Sequence, residues 1–179
     1  MERVSYQIDG DDAIRWVGAS WNAFAVSNGA PKMDDRVVGC SIWTFVSDET
    51  TRQVYRALIA RVRTGHTVTF SYRCDAPSLR RFMLMTMTPN AGQGVAFESV
   101  TIRTETRVPL VFRVEVQPGS DLMLRVCGWC KQVDVRGDWK EIDVAVECLG
   151  LFAGSPTPTL THAMCPPCFA RVMAEVEAR

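Results

Sequence analysis

The sequence predicts an α+β fold with an antiparallel sheet, followed by a small cysteine-rich segment. Two alternating apolar–polar stretches near the N-terminus have the period-two pattern of a β-hairpin. A helix with one apolar stripe follows, and three further alternating stretches come after it. The last third contains two Cys-x-x-Cys pairs, Cys127 with Cys130 and Cys165 with Cys168, which are the most specific signal in the chain.

The N-terminal hairpin is predicted from strands at residues 4–9 and 13–17. A Gly-Asp-Asp turn at residues 10–12 joins them. A short helix is predicted next, over residues 19–26, because Trp21, Phe24 and Ala25 recur there at helical spacing.

The clearest helix begins after Ser47 or Asp48, either of which can cap it, and ends at Gly65. Its apolar stripe consists of Val54, Tyr55, Leu58, Ile59 and Val62. Its arginines are expected on the solvent side, namely Arg52, Arg56, Arg61 and Arg63.

Three strands are predicted after this helix, at residues 67–74, 79–88 and 95–104. Short turns rich in Gly, Pro, Asn and Asp separate them, so we expect an antiparallel meander with one face packed on the core. The apolar parity of the third strand shifts along its length, which predicts a β-bulge near Glu98 and Ser99.

A Gln-Pro-Gly-Ser-Asp run has linker composition and divides the chain. We expect one domain at residues 1–107, an extra strand or linker at 108–121, and a cysteine-rich metal-binding extension at 122–179. Helices are predicted within that extension at residues 139–149 and 168–178.

Composition indicates a soluble globular protein, since 47% of the 179 residues are hydrophobic and 22% are charged. No apolar run approaches the roughly 18 residues that span a bilayer, and the N-terminus lacks the pattern of a signal peptide. The formal net charge is zero, and the cysteine-rich segment is not basic, which argues against nucleic acid as a partner. Seven cysteines are an odd number for a disulfide framework, so we expect a reducing cytoplasm.

The two cysteine pairs predict a structural zinc site with Cys127, Cys130, Cys165 and Cys168 as ligands. Four protein ligands leave no open position for catalysis. Three roles are open for His162: it replaces one cysteine as ligand, it hydrogen-bonds a ligand, or it caps the turn. Iron or an iron–sulfur cluster would use the same four cysteines, and a pair of redox-active dithiols is a further alternative.

Other reactive residues are assigned to structure. Cys40 and Cys148 are expected to be small core residues. The sequence shows no Ser/His/Asp motif and no phosphate-binding glycine loop, and it contains only two histidines, so no enzyme activity is predicted.

The order of predicted elements over residues 4 to 107 resembles that of PAS domains. The matching residues are Ile14, Trp16 and Val17 of the second strand, Asn22 and Phe24, Gly39, Ile42, Trp43 and Phe45, and the helix that follows. The resemblance implies a five-stranded antiparallel sheet with helices on one face and a cavity between them. PAS domains bind haem, flavin or small metabolites there, or bind nothing and serve for dimerisation.

Two cofactors of PAS domains, the light-sensing flavin and haem, require particular residues. The light-sensing cysteine motif of the family is absent, and His66 is the only histidine available to bind haem in this region. The tryptophans and methionines of this region are expected to fill the core rather than line a pocket, namely Trp16, Trp21, Trp43, Met83, Met85 and Met87. The ligand of such a cavity stays unknown.

The whole chain also resembles bacterial PAS-like signalling proteins with a Cys-x-Trp-Cys-Lys segment, a later Trp, and a His-x-x-Cys-Pro-x-Cys segment. The matching residues here are Cys127, Trp129, Cys130, Lys131, Trp139, His162, Cys165, Pro166 and Cys168. The sequence therefore predicts a non-enzymatic sensory, signalling or scaffold module that acts as a homodimer or through a signalling partner. The alternative is a redox- or iron-responsive sensor in which the cysteine cluster itself changes state.

Overall fold

The computed structural model describes residues 2–27, 34–46, 48–76, 78–107, 123–150 and 159–177. We call the described residues up to 107 the body, and those from 123 onwards the C-terminal segment. The elements of the body are, in chain order, β1 (Arg3–Ile8), β2 (Ile14–Val17), α1 (Trp21–Ser27), α2 (Asp34–Val37), a 3₁₀ turn (Ile42–Phe45), α3 (Glu49–Arg63), β3 (Val68–Arg73), β4 (Leu79–Asn90) and β5 (Gly94–Thr106).

The strands of the body form one antiparallel sheet in the order β2-β1-β5-β4-β3. The predicted N-terminal hairpin is present, and the carboxylate of Asp9 accepts hydrogen bonds from the backbone of Asp11 and Ala13 in its turn. The predicted meander forms β3, β4 and β5. The prediction of a five-stranded antiparallel sheet is therefore confirmed.

One face of this sheet is apolar and carries the helices. Its buried side chains alternate along the strands, as period two requires, and include Ile8, Val68, Phe70, Met83, Met85, Met87, Val95 and Phe97. Helix α3 packs on β3, β4 and β5 with Val54, Leu58, Ile59 and Val62 buried. The α+β fold class with helices on one face is thus confirmed.

Helix α3 begins as predicted, with Asp48 as its cap. The Asp48 carboxylate accepts a hydrogen bond of 2.7 Å from the backbone of Thr51, which satisfies one amide of the first turn. The expectation for the arginines was wrong at two positions. Arg52 donates to the carbonyl oxygens of the 3₁₀ turn and its end, and Arg63 pairs with Asp12 at 2.8 Å, so both are half-buried.

The β-bulge lies elsewhere than predicted. Ser99 and Glu98 pair regularly with β4, and the register shifts instead between Phe82 and Met83, opposite Ile102. The apolar–polar alternation along β5 was misleading because Ser99 is a polar residue on the buried face. Its hydroxyl accepts a hydrogen bond of 2.8 Å from Tyr72, which satisfies it there.

The C-terminal segment contains a second, smaller sheet and two helices. Its elements are β6 (Met123–Cys127), β7 (Val133–Val135), β8 (Asp138–Lys140), α4 (Ile142–Leu149), β9 (Thr159–Ala163) and α5 (Pro166–Glu177). The strand order is β8-β7-β6-β9, and β6 pairs with β9 in parallel. No helix among the described residues is long and apolar enough to cross a membrane.

Two predictions for this segment need correction, and one lies outside the described residues. The helix predicted at 139–149 begins only at Ile142, because Trp139 pairs with Asp134 as part of β8. Cys148 is exposed rather than buried, since α4 buries its opposite side through Ala145 and Val146. The strand or linker predicted at 108–121 lies outside the described residues.

Body and C-terminal segment share one hydrophobic core. Buried residues of the segment belong to the same cluster as the α3 stripe and the sheet, namely Cys127, Trp129, Met164, Cys165, Cys168 and Val172. Helix α5 contacts both α3 and β3. The boundary near residue 107 stays a prediction, but the packing on its two sides is continuous.

Candidate metal centre

The parallel pairing of β6 and β9 brings the two cysteine pairs together. Cys127 is the last residue of β6 and lies opposite Ala163, the last residue of β9. The chain then turns at both places, towards Cys130 after β6 and towards Cys165 and Cys168 after β9. Because parallel strands end at the same edge, both turns deliver their cysteines to one point.

The four cysteine sulfur atoms all lie within 4.8 Å of one another. The Sγ atoms of Cys130 and Cys165 are 3.6 Å apart. A tetrahedral ion with sulfur ligands at about 2.3 Å holds those sulfurs about 3.8 Å apart. The side chains as they stand therefore fit one metal ion with four sulfur ligands.

The cluster is enclosed on most sides. Cys127 and Cys165 have no exposed surface, and Cys168 is 4% exposed, whereas Cys130 is partly exposed. The backbone of Cys165 donates to the sulfur of Cys127 at 3.4 Å, and the guanidinium of Arg171 donates to the sulfur of Cys168 at 3.7 Å. Such hydrogen bonds partly neutralise thiolates, which favours a metal-bound state.

The cysteines perturb each other's protonation in the metal-free cluster. Hydrogen bonds from the thiols of Cys130 and Cys168 lower the pKa of Cys127 well below its ordinary value. The contact with Cys127 raises the pKa of Cys130 to about 12, and the contacts with Cys127 and Cys130 raise the pKa of Cys168. A divalent ion binds cysteines as thiolates, so its binding would deprotonate the thiols of this cluster.

His162 lies outside this group of sulfur atoms. It sits exposed on β9, and the described residues within mutual ligand distance are the four cysteines alone. His162 instead lines a cavity of about 280 Å³, together with Cys74 and Lys131 among other residues. Burial raises the pKa of the Cys74 thiol above its ordinary value.

The wall of that cavity joins the body to the C-terminal segment. The indole of Trp129 is 3% exposed and packs between Tyr55 and Phe70, at centroid distances of 5.5 and 5.7 Å. The backbone of Arg73 donates to the Trp129 carbonyl at 2.6 Å. Sequence reasoning missed this cavity because its walls come from distant parts of the chain.

A buried ion-pair network makes a second connection. Arg73 on β3 pairs with Asp75 at 2.5 Å and with Glu141, just before α4, at 2.7 Å. Arg80 adds a contact of 3.4 Å to Glu141 and one of 3.6 Å to Asp143. The network therefore holds the first turn of α4 against the edge of the large sheet.

The tryptophans and methionines expected in the core differ in their burial. Met83, Met85 and Met87 are buried as predicted. Trp21 and Trp43 are partly buried against the core, whereas Trp16 is 46% exposed on the opposite face of the sheet. His66 is exposed beside Thr64, where the hydroxyl lies 3.1 Å from its ring nitrogen.

The body therefore has the five-stranded antiparallel sheet with helices on one face that the sequence indicated, followed by a segment with a four-cysteine cluster. The chain is similar to a domain of an HTR-like protein from Haloarcula marismortui, at 17% identity and a TM-score of 0.42 over 57% of this chain and 100% of that one.

Two further similar structures are PAS domains. That of BvgS from Bordetella pertussis is 14% identical, with a TM-score of 0.39 over 57% of this chain and 74% of that one. That of nitrogen regulation protein NR(II) from Vibrio parahaemolyticus is 16% identical, with a TM-score of 0.35 over 57% of this chain and 91% of that one. No protein-family model matches the sequence, and no curated protein is significantly similar to it.

Proposed function

We propose that this protein is a non-enzymatic sensory or scaffold module of the cytoplasm, in which a structural zinc ion holds the C-terminal segment against a PAS-like body. Its output is dimerisation or the binding of a signalling partner. The observation that carries the proposal is the meeting of Cys127, Cys130, Cys165 and Cys168 within 4.8 Å.

The donor set supports a structural rather than a catalytic ion. Four sulfur ligands complete a tetrahedron and leave no position for water or substrate. The turn that carries the first two cysteines also carries Trp129, which is buried against the body. An ion that fixes this turn therefore fixes the contact between the body and the segment, and its binding free energy contributes to folding.

A redox- or iron-responsive cluster is the second candidate function. Cys130 is the one partly exposed member, and its sulfur lies 3.6 Å from that of buried Cys165. An oxidant can reach such a thiol and join the two sulfurs if no ion separates them. Iron would use the same four sulfurs and would make the protein coloured.

Elemental analysis of protein purified without added metal distinguishes the two. We expect about one equivalent of zinc per chain and a colourless solution. One equivalent of iron, or visible absorption from an iron–sulfur cluster, would support the second candidate against the first. A metal-free protein with Cys130 and Cys165 joined as a disulfide would contradict the zinc site as well.

The ligand set is tested by two serine substitutions of the same type. Cys127→Ser is expected to remove most of the bound zinc and to lower the unfolding temperature, because three sulfurs bind zinc much more weakly than four. Cys148→Ser is the matched control, since Cys148 is exposed in the same segment. Equal zinc content and equal unfolding temperatures in the two variants would show that Cys127 is not a ligand.

The proposed output is tested by light scattering coupled to size-exclusion chromatography. A dimer at micromolar concentration supports self-association as the output. A protein that stays monomeric and captures no defined protein from its own cell extract would contradict both forms of output.

A further inference from the structure

We propose that the cavity between the body and the C-terminal segment binds a small aromatic carboxylate. This cavity has a volume of about 280 Å³ and lies between the start of α3, the end of β3 and the turn that carries the first cysteine pair. The proposal goes beyond the zinc site, because it assigns a ligand class to residues that do not bind the ion.

The walls of the cavity favour a flat ring. Aromatic side chains line it from three parts of the chain, namely Phe45, Tyr55, Tyr72 and Trp129. The rings of Tyr55 and Trp129 are tilted by 50° at a centroid distance of 5.5 Å. Aromatic walls at such angles offer both stacked and edge contacts to a planar ligand.

The polar groups that line the cavity favour a negatively charged ligand. Trp129 is 3% exposed, and its indole N–H is buried without a hydrogen-bond partner among the described residues. The ammonium of Lys131 donates to the carbonyl of Gly128 at 2.8 Å, and no carboxylate of the described residues pairs with it. A carboxylate oxygen accepts from both groups, and buried donors without a partner are rare in native proteins.

The remaining lining residues fit this assignment. His162 contributes a third group that can donate a hydrogen bond. Asp48 is the only carboxylate among the lining residues, and it is occupied by the backbone of Thr51 at 2.7 Å as the cap of α3. The cavity volume of about 280 Å³ lies just below the range of about 300 to 1,000 Å³ for ligand pockets, which fits one ring with one acid group.

Ligand and metal are expected to influence each other. Gly128 and Trp129 lie in the turn between Cys127 and Cys130, and Lys131 directly follows that turn. If the ion fixes this turn, it also fixes three residues of the cavity wall. This coupling rests on the proposed zinc site, whereas the ligand class rests on the cavity alone.

Titration calorimetry with three acids and matched neutral amides tests the ligand class. The full chain, as purified with its metal, is titrated with benzoate, 4-hydroxybenzoate and indole-3-acetate, and with benzamide, 4-hydroxybenzamide and indole-3-acetamide. We expect at least one acid to bind below millimolar concentration and its amide to bind at least about tenfold more weakly, because only the acid is charged. Equal binding of acid and amide, or no binding of any acid, would overturn the proposal.

Two lysine variants test the site. Lys131→Met keeps the aliphatic stem and removes the charge, so we expect it to weaken the acid at least about tenfold with an unchanged zinc content. Lys140→Met is the control, because Lys140 on β8 pairs with Asp138 at 3.3 Å and does not line the cavity. Equal acid affinity in the two variants would overturn the site.

Trp129→Phe provides a second variant, since it keeps an aromatic ring and removes the N–H group. A loss of acid binding with retained zinc and a retained unfolding temperature supports the indole as a donor. Unchanged acid binding overturns that role. Zinc content is measured on every variant, so a failed zinc site and a failed ligand site give different results.

Discussion

The three tyrosines of this protein are partly buried against the hydrophobic core rather than spread over its surface. Burial raises the pKa of Tyr6 and Tyr55 above the ordinary value, and it raises the pKa of Tyr72 to about 12. The folded state therefore holds the phenolic protons more tightly than the unfolded chain, whose tyrosines ionise near pH 10.

This difference predicts a loss of stability at alkaline pH. Below pH 10 both states keep their phenolic protons, so the contribution is fully present. Between about pH 10 and 12 the unfolded chain loses protons that the folded protein retains, and the free energy of unfolding falls. The absorbance of tyrosinate in the folded protein should rise only above pH 10, whereas in denaturant it should rise near pH 10. Ionisation of all three tyrosines near pH 10 in the folded protein would contradict the packing.

At the scale of single residues, a prediction succeeded where a short sequence motif carries the signal. The spacing of Cys127, Cys130, Cys165 and Cys168 identified the group that the structure brings together. The prediction that Cys148 is a core residue was wrong. Its exposure depends on which side of α4 packs against the rest of the protein, and the sequence does not show that side. Lys131 matched only the Cys-x-Trp-Cys-Lys resemblance, and nothing in the sequence indicated its cavity, which is formed by residues far apart in the chain.

A largely buried network of ion pairs joins helix α4 to strand β3. The side chains of Arg73 and Asp75 are 9% and 8% exposed. Arg73→Met is expected to lower the free energy of unfolding by about 3 kcal/mol, because it leaves buried carboxylates without their main partner. Arg80 and Arg107 remain within 3.4 and 3.6 Å of those carboxylates, which places the effect at the lower end of the usual range.

A denaturant titration checks this value against Arg3→Met. Arg3 pairs with Glu98 at 3.0 Å, but the two side chains are 64% and 43% exposed, so its loss should cost less than about 1 kcal/mol. If both variants cost equally little, the network does not join the two elements. Both should keep the zinc content of the parent protein.

Elements with a strong periodic pattern were predicted well, and elements that depend on a partner were not. Helix α3 has its cap, stripe and end where the sequence indicated, because each is encoded within a few residues. The bulge was misplaced because Ser99 is stabilised on the buried face by Tyr72, a residue from another strand. The short strand β8 was taken for the start of a helix, since three residues are too few to show a period.

The core of the whole molecule depends on both parts of the chain. In the described structure Trp129, Cys168 and Val172 pack in the same cluster as Val54 and Phe70. A fragment of residues 1–107 would expose the apolar surface that these side chains cover, so we expect it to unfold at lower denaturant concentration and to bind a hydrophobic dye.

Removal of the proposed zinc ion tests the dependence of the two parts on each other without a change of sequence. Removal by a strong chelator is expected to lower the unfolding temperature of the body as well as that of the segment, in one transition. Tryptophan fluorescence and circular dichroism should report the same transition, because tryptophans, helices and strands occur in both parts. A body that unfolds at an unchanged temperature after metal removal would show that the two parts are independent.

The global arrangement was predictable only in part. The hairpin β1–β2 and the meander β3–β4–β5 join neighbours in the sequence, whereas the pairing of β1 with β5 that completes the sheet joins distant strands. The parallel pairing of β6 with β9 joins strands that are separated by β7, β8 and α4, so no local pattern reveals it.

That parallel pair also affects how fast an ion leaves. Three of the four sulfurs have little or no contact with solvent, and they lie where β6, β9 and α5 meet. If a metal ion is bound as proposed, we expect a chelator to reach these three sulfurs only after β9 separates from β6 or α5 lifts from the core. At high chelator concentration the rate of release then equals the rate of this opening, so the lifetime of the bound ion is set by the protein's own motion rather than by its affinity for the metal.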